Sequence, residues 1–208
     1  MAKKEDGDTT DRRQQIVEAA LRVFSTKGFH KATNKDIADA AGGISPGLIY
    51  WYFKDKQDLF LSIFRERAAI FDLAEHPEQL MELPVREGLT LIGQSYLAIF
   101  HVPGNVALFR MLFGEALRFP EIGQMFYKLA ASRLFNLLNR YLQYQVDLGR
   151  LRPHDTTIAS RSFIGMFVVQ VVARELLRQP EALATPDEAI IATVVDIFVR
   201  GLEERTAP

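Results

Sequence analysis

The chain of 208 residues contains no cysteine, which excludes disulfides, thiolate metal ligands and cysteine nucleophiles. It also lacks long apolar runs, since stretches such as Met166 to Val169 are far shorter than the roughly 18 residues of a membrane-spanning helix. The opening residues, MAKKEDGDTTDRR, contain no apolar signal segment. We therefore expect a soluble, cytoplasmic protein without a membrane partner.

Side chains suited to catalysis or metal binding are not clustered in the sequence. The four histidines are widely separated, at positions 30, 76, 101 and 154. This spacing gives little support to a zinc site or to a nucleophile activated by a base. An enzyme is thus the weaker alternative, and we expect no metal and no cofactor.

Positive charge is scarce overall, because the net charge is −1 and the isoelectric point is about 6.4. Proteins that bind nucleic acids usually present a positive surface. The charge is unevenly distributed, however: residues 1–56 hold 10 lysines and arginines against 8 acidic residues, and seven of the eight lysines lie there. Each lysine alone could be an ordinary solvated side chain, but together they favour contact between this segment and phosphates.

The first part of this segment has the pattern of two helices. Apolar residues recur at helical spacing from Asp11 to Lys27, and Gly28 ends the helix because glycine adopts the left-handed conformation without steric cost. Thr33 then offers an N-cap oxygen. A second, shorter helix is predicted at roughly 33–41.

A third helix follows a short turn. The pair Gly42-Gly43 breaks the second helix, and Ser45-Pro46 provides a cap followed by proline at the first helical position. The third helix is predicted to end near Tyr52. Two short helices joined by a glycine-containing turn predict a helix-turn-helix, whose second helix lies in the major groove of DNA.

The third helix is unusual for one that only packs in a core. Gly47 in its first turn costs about 1 kcal/mol relative to alanine, but it would let a phosphate approach the backbone. Tyr50, Trp51 and Tyr52 are consecutive, and neighbours on a helix point about 100° apart, so at least one should be exposed. Exposed aromatic side chains can contact phosphates and thymine methyl groups, although a chance surface residue would also fit.

Three spaced patterns within residues 16–59 resemble the TetR family of regulators. They are Ile16-x-x-Ala19-Ala20-x-x-x-Phe24-x-x-x-Gly28-Phe29, then Thr33-x-x-x-Ile37-Ala38-x-x-Ala41-Gly42, and Ile44-Ser45-x-Gly47-x-Ile49-Tyr50-x-Tyr52-Phe53-x-Asp55-Lys56-x-x-Leu59. The turn departs from the family. It reads Ala41-Gly42-Gly43-Ile44-Ser45, one residue longer than the usual Ala-Gly-Val-Ser. The extra glycine could tilt the third helix.

The resemblance implies a repressor that binds a palindromic double-stranded DNA operator as a homodimer. It implies that Thr33 and Lys56 anchor phosphates and that the third helix meets base edges. The expected DNA-binding residues are Thr33, Asn34, Lys35, Ser45, Pro46, Gly47, Tyr50, Trp51, Tyr52 and Lys56. The third helix has no Arg, Lys, Asn or Gln, so we expect specificity from apolar contacts, backbone groups and DNA shape.

The rest of the chain predicts a larger helical domain over residues 57–208, after a DNA-binding domain at 1–56 whose first ten residues are expected to form a disordered tail. Turn signals separate helices predicted near 55–75, 85–101, 105–117, 121–147, 154–178 and 186–204, without a strand pattern. The fold class is therefore all-α. It joins a three-helix helix-turn-helix domain to a helical ligand-binding and dimerisation domain.

Two C-terminal segments, Ser162–Ala173 and Ala189–Val199, are hydrophobic nearly all round. Such helices are buried on several sides, either within one subunit or between two. The resemblance implies the second arrangement, a homodimer formed through the last two long helices.

Aromatic residues at helical spacing in this region are usually ordinary core residues. The resemblance implies that some line a pocket for a small apolar or amphipathic effector. The expected ligand-binding residues are Phe64, Phe71, Tyr96, Phe100, His101, Phe109, Arg110, Phe113, Tyr127 and Phe167. We expect a ligand against Phe64 or Phe71 to shift the fourth helix and change the separation of the two recognition helices. The alternative is a dimeric DNA-binding regulator controlled by a protein partner or by no ligand.

Overall fold

The structure is a computed structural model that describes residues 5–67, 73 and 76–203. Helices and connecting segments account for all of these residues, and no strand occurs among them, which confirms the all-α class. The helices are α1 (Glu5–Lys27), α2 (Asn34–Ala40), α3 (Pro46–Tyr52), α4 (Lys56–Arg67), α5 (Glu78–Glu82), α6 (Val85–Ala98), α7 (Asn105–Arg118), α8 (Pro120–Phe126), α9 (Ser132–Asp147), α10 (Thr156–Val171), α11 (Pro180–Ala184) and α12 (Asp187–Leu202).

Some predicted helices differ from the observed ones in detail. The helix predicted at 121–147 consists of α8, a π-helical segment at Tyr127–Ala131, and α9. The helix predicted at 154–178 similarly continues from α10 into a π-helical segment at Val172–Leu176. In both segments the backbone hydrogen bonds span five residues instead of four, and the spacing of apolar residues does not reveal this change.

The beginning of α1 also differs from the prediction. It starts at Glu5, so the helix extends into the segment 1–10 that was expected to be a disordered tail.

The chain forms two compact units. The first consists of Met1–Arg67 and Val102–Ala130, and the second of Ala68–His101 and Ala131–Pro208. Helices α7 and α8 therefore pack in the same unit as the N-terminal helices. The predicted functional boundary after residue 56 remains a prediction, because compactness does not define which residues bind DNA.

The first unit has an apolar core to which all of its helices contribute. Phe24, Phe29 and Phe60 meet at its centre, with ring centroids 5.0–5.5 Å apart. Around them lie Ile16, Val17 and Ala20 of α1, Ile37 and Ala38 of α2, Ile49 of α3, Leu59 and Ile63 of α4, Leu108, Met111 and Leu112 of α7, and Ile122 of α8. This core fixes α2, α3 and α4, which are short enough to be marginal in isolation.

The second unit is organised around a fully buried tyrosine. Tyr141 of α9 donates a hydrogen bond from its hydroxyl to the carbonyls of Leu83 (3.1 Å) and Pro84 (3.0 Å), at the start of α6. Burial raises the pKa of Tyr141, which keeps the phenol protonated as a donor. The ring lies against Gly88, where a Cβ atom would overlap the phenol.

Helix α10 is one of two strongly apolar long helices of the second unit. Together with its π-helical continuation, the stretch Thr156–Leu176 is apolar and long enough to cross a membrane by composition, as the core helices of soluble proteins also are. Only 33% of its most apolar window is buried inside the chain. Much of this apolar surface is therefore open within one subunit.

The contact between Gly88 and Tyr141 generates the first prediction. Gly88→Ala should lower the free energy of unfolding by about 1–3 kcal/mol, because the added methyl group forces a buried, hydrogen-bonded ring to move. Urea denaturation followed by circular dichroism measures this change. Gly201→Ala is the control, since Gly201 is helical and exposed and a Cβ there would meet nothing within 4 Å. Equal stabilities of the two variants would contradict the packing argument.

Candidate nucleic-acid interface

Helix α2 begins at a reciprocal cap. The Thr33 hydroxyl accepts a hydrogen bond from the backbone N–H of Asp36 (3.1 Å), and the Asp36 carboxylate accepts one from the backbone N–H of Thr33 (3.0 Å). The Lys27 ammonium lies 2.6 Å from the same carboxylate. These bonds lower the pKa of Asp36 from 3.8 to about 2, with Lys27 the largest cause. The predicted N-cap is thus confirmed, and Lys27 ties the end of α1 to the start of α2.

The residues that follow the cap differ in exposure. Lys35 is exposed and Asn34 is half-buried. The side-chain oxygen of Asn34 is inaccessible and has no hydrogen-bond partner. The end of α2 is fixed from α1, because the Arg22 guanidinium donates to the carbonyl of Ala40 (2.9 Å).

The turn between α2 and α3 accommodates both glycines by left-handed backbone. Gly42 has φ +93° and Gly43 has φ +75°. The N–H groups of Gly43 and Ile44 both donate to the carbonyl of Ala38, each at 3.1 Å, so the last turn of α2 is closed. The extra glycine is therefore absorbed inside the turn, where other residues would be strained.

Helix α3 separates its aromatic residues between core and surface. Ile49 and the C-cap residue Phe53 are buried, at 1% and 2% exposure. Tyr50 and Trp51 are 60% and 72% exposed, and Tyr52 is half-buried. The expectation of at least one exposed aromatic is confirmed, and there are two.

The beginning of α3 is open to solvent. Ser45 caps the helix by accepting from the N–H of Gly47 (3.3 Å), and Pro46 occupies the first turn. All three residues are exposed. A Cβ atom at Gly47 would meet only the Ser45 hydroxyl, at an ordinary 3.5 Å, so internal packing does not require glycine there.

Lys56, at the first position of α4, is turned toward the protein backbone. Its ammonium donates to the carbonyls of Phe29 (2.8 Å), Ala32 (3.0 Å) and His30 (3.4 Å), and it lies 4.6 Å from the centre of the Phe29 ring. Burial lowers its pKa. The sequence offered no signal for this arrangement, since the partners lie 24 to 27 residues earlier in the chain.

Comparisons with known proteins agree with this geometry. Residues 16–63 match the bacterial regulatory proteins of the tetR family, and residues 87–201 match the C-terminal domain of AefR-like transcriptional repressors. The chain belongs to the TetR family of transcriptional regulators. The family identified from the N-terminal pattern is thereby confirmed.

Two curated proteins illustrate the relationship. The chain is 30% identical over 192 residues to the fatty acid metabolism regulator protein of Bacillus subtilis strain 168, covering 92% of this chain and 95% of that protein. It is 33% identical over 118 residues to the probable acrEF/envCD operon repressor of Escherichia coli strain K12, covering 54% of this chain. That match spans about half, 52%, of the length of the operon repressor.

A solved structure shows the same fold. The transcriptional regulator FadR from Bacillus subtilis, crystallised in complex with stearoyl-CoA, aligns with a TM-score of 0.70 at 24% sequence identity. The alignment covers 90% of this chain and 98% of FadR. The helical architecture of this TetR-family chain is therefore that of a known regulator.

The predicted ligand-binding residues of this TetR-family chain fall into both units. In the second unit, the Tyr96 ring lies 5.8 Å from Phe100 and 6.0 Å from Phe167. The His101 imidazole lies 2.7 Å from the Asp187 carboxylate. These four predicted residues thus occur at one end of α6 and beside it.

The other predicted ligand residues lie elsewhere. In the first unit, the rings of Phe109 and Phe113 are 5.1 Å apart on α7, Arg110 lies between them in sequence, and Tyr127 is 45% exposed. Phe71 and the side chain of Phe64 lie outside the described residues. No single pocket is established for the predicted set.

The lowered pKa of Asp36 generates the second prediction. A folded-state pKa below its ordinary value means that Asp36 stabilises the fold above about pH 4 and loses this effect as the pH falls toward 2. Asp36→Asn should therefore be less stable than the wild type at pH 7, with a difference that shrinks as the pH approaches 2. Thermal unfolding at a series of pH values measures this difference.

The variant Lys27→Met is the matched comparison, because it removes the largest cause of the shift. It should reproduce part of the same pH dependence. An Asp36→Asn difference that stays constant from pH 7 to 2 would show that this carboxylate is not held by the cap.

Proposed function

We propose that this protein is a homodimeric, sequence-specific repressor that binds operator DNA through α2 and α3 and is released by an amphipathic effector. The observation that carries the proposal is the exposure of Tyr50 and Trp51 on α3. Adjacent exposed aromatic side chains form an apolar patch, and such patches commonly mark a contact surface. The protein acts in the cytoplasm, where its DNA is.

The chemistry of α3 suits contact through apolar surface and backbone. Tyr50 and Trp51 provide rings for thymine methyl groups and the sugar-phosphate backbone. Gly47 lets DNA approach the start of the helix without an intervening side chain. Tyr52 is only half-exposed, so it reaches the DNA at the edge of this surface.

Phosphate contacts come from the neighbouring α2. The Lys35 ammonium is exposed and close to the capped N-terminus of α2, where the backbone dipole is positive. Asn34 could reach a phosphate only through its amide N–H groups, since its oxygen is inaccessible, and Thr33 contributes through the cap that orients the helix. Ser45 and Pro46 lie at the exposed start of α3, adjacent to this surface in the chain.

Lys56 supports DNA binding in a different way from the phosphate anchor that the resemblance implied. Its ammonium is bonded to three carbonyls of the segment before α2. Reaching a phosphate would require giving up these bonds in a partly buried place. Lys56 therefore acts by positioning the start of α2.

These roles lead to the third prediction. Lys35→Ala should weaken binding to every duplex and reduce the slope of log affinity against log salt by about one. Trp51→Ala should keep the salt slope and cut the preference for a selected duplex over random DNA by about tenfold, since one good base contact is worth about 1–3 kcal/mol. Fluorescence anisotropy with duplexes selected from a random library measures both.

Lys56→Ala distinguishes positioning from direct contact. It should lower the melting temperature and weaken binding while leaving the salt slope unchanged. A slope reduced by about one in Lys56→Ala would mean that its ammonium binds a phosphate. If Trp51→Ala keeps the wild-type preference for the selected duplex over random DNA, α3 is not the helix that recognises the sequence.

The effector is an acyl compound with a polar head. This proposal is supported by the likeness to the fatty acid metabolism regulator and by the fold shared with FadR, which was solved with stearoyl-CoA. Stearoyl-CoA that leaves the DNA affinity unchanged would exclude this class of effector.

The dimer forms through α10 and α12. Val169 of α10 and Ile197 of α12 are 64% and 57% exposed, although both belong to strongly apolar helices. A partner subunit would remove this apolar surface from water. Two linked recognition helices would also match the two halves of a palindrome.

The fourth prediction concerns this interface. Val169→Glu and Ile197→Glu should each weaken the dimer at least roughly tenfold, because each buries an unpaired charge twice per dimer. Sedimentation velocity over a dilution series measures the dissociation. Leu183→Glu on α11, at a residue that is 47% exposed, is the control and should remain dimeric. A wild-type monomer, or dimers unaffected by both changes, would contradict the assignment.

A further inference from the structure

A groove of about 500 Å³ lies within the first unit, between α1 and α7. Its lining includes Ser25, Arg110, Met111, Gly114, Glu115 and Arg118. The lining therefore combines two cations, one carboxylate, a hydroxyl and an apolar thioether. All of these residues belong to one compact unit.

The two arginines share one face of α7. Residues 110, 114 and 118 are four apart, so they follow each other along the helix, with about 12 Å of rise between the two arginines. Gly114 lies midway, and a Cβ atom there would meet nothing within 4 Å. Glycine inside a helix is destabilising relative to alanine, and packing does not explain its presence here. It leaves a notch between two guanidinium groups.

Met111 of α7 and Ser25 of α1 complete the lining. Met111 packs into the core of the unit while also lining the groove. The Ser25 hydroxyl is inaccessible and makes no hydrogen bond, although serine in a helix commonly donates to the preceding turn. The groove thus combines two exposed arginines with an apolar side chain from the core of the unit.

We propose that this groove binds the anionic head of an amphipathic effector, with Arg110 and Arg118 as the counter-charges. Guanidinium groups suit this task because they form paired hydrogen bonds to carboxylate and phosphate oxygens. The head is either the carboxylate of a fatty acid or a phosphate of an acyl-CoA. This inference rests on the effector class in the proposed function.

The same groove touches the segment that leads into α2. Glu115 accepts a hydrogen bond from the backbone N–H of His30 (3.4 Å), and its carboxylate borders Gly28, which has φ +78°. The His30 ring also lies 4.1 Å from the Phe119 ring, and its imidazole is 3.4 Å from the Glu121 carboxylate. Residues at α7 and the start of α8 therefore restrain the segment that leads into α2.

A ligand bound in the groove would weaken these contacts with the segment before α2. An anion between the arginines repels the Glu115 carboxylate and weakens its contact with His30. The segment before α2 then loses a restraint, and DNA affinity falls. Coupling of this kind is reciprocal, so bound DNA lowers the affinity for the effector by the same factor.

The binding test uses the full chain and three probes below their micellar concentrations: dodecanoate, free coenzyme A and stearoyl-CoA. Isothermal titration calorimetry on Arg110→Gln/Arg118→Gln should show at least about tenfold weaker binding than the wild type, the loss expected for charged hydrogen bonds. Dodecanol should bind both proteins equally. The control, Arg140→Gln/Arg178→Gln, changes two exposed arginines of the second unit outside the proposed dimer helices and should behave as the wild type.

The probes separate the possible heads. If the double variant loses affinity only for dodecanoate, the bound head is a carboxylate. If it loses affinity for coenzyme A and stearoyl-CoA, the bound head is a phosphate. If the wild type and the double variant bind stearoyl-CoA or dodecanoate equally well, the groove is not the binding site. The proposed effector class would still stand. A wild type that binds none of the probes but binds its selected duplex overturns both the groove and the effector class, while the DNA-binding function stands.

Two further variants test the notch and the coupling. Gly114→Leu fills the notch without changing charge, so it should abolish probe binding and raise the melting temperature. Glu115→Gln keeps an acceptor for His30 but loses the charge, so it should bind the probe and no longer release DNA in response. Release from Glu115→Gln equal to that of the wild type would overturn the coupling through this carboxylate.

Discussion

The proposed DNA-binding surface depends on how the segment between α1 and α2 is held. Three of its carbonyls point at one place and need a donor there, because an unpaired backbone oxygen away from water is costly. The Lys56 ammonium supplies three donors at that place. From the other side, Glu115 accepts from the N–H of His30. Opposite charges from α4 and α7 thus fix the point at which α2 begins.

The proposed recognition helix is too short to form without support. Helix α3 has seven residues, fewer than an isolated helix needs in water. Ile49 and Phe53 bind it to the core of the first unit, and the left-handed pair Gly42-Gly43 sets its direction. Because these two anchors point inward, Tyr50 and Trp51 must point outward. Their exposure follows from the packing of their neighbours.

Features encoded by a few adjacent residues could be predicted from the sequence. The Thr33 cap, the Ser45-Pro46 start of α3 and the exposed aromatics all depend on local spacing and helix geometry. Contacts between distant residues could not be predicted. Glu115 lies 85 residues from His30, and nothing near either residue indicates the other. The packing of α7 and α8 with the N-terminal helices was hidden for the same reason, as were the partners of Lys56.

The same long-range contacts decide where an effector can act. A ligand changes DNA affinity only if it interacts differently with the binding and non-binding conformations. The Arg110, Gly114 and Arg118 face of α7 meets this condition directly, because its neighbour Glu115 touches the segment before α2. Binding energy gained at the arginines can then oppose the bond between Glu115 and His30 inside one compact unit. The release of Glu115 from His30 would remove one restraint on this segment, while the bonds from Lys56 and the contacts of His30 with Phe119 and Glu121 would remain.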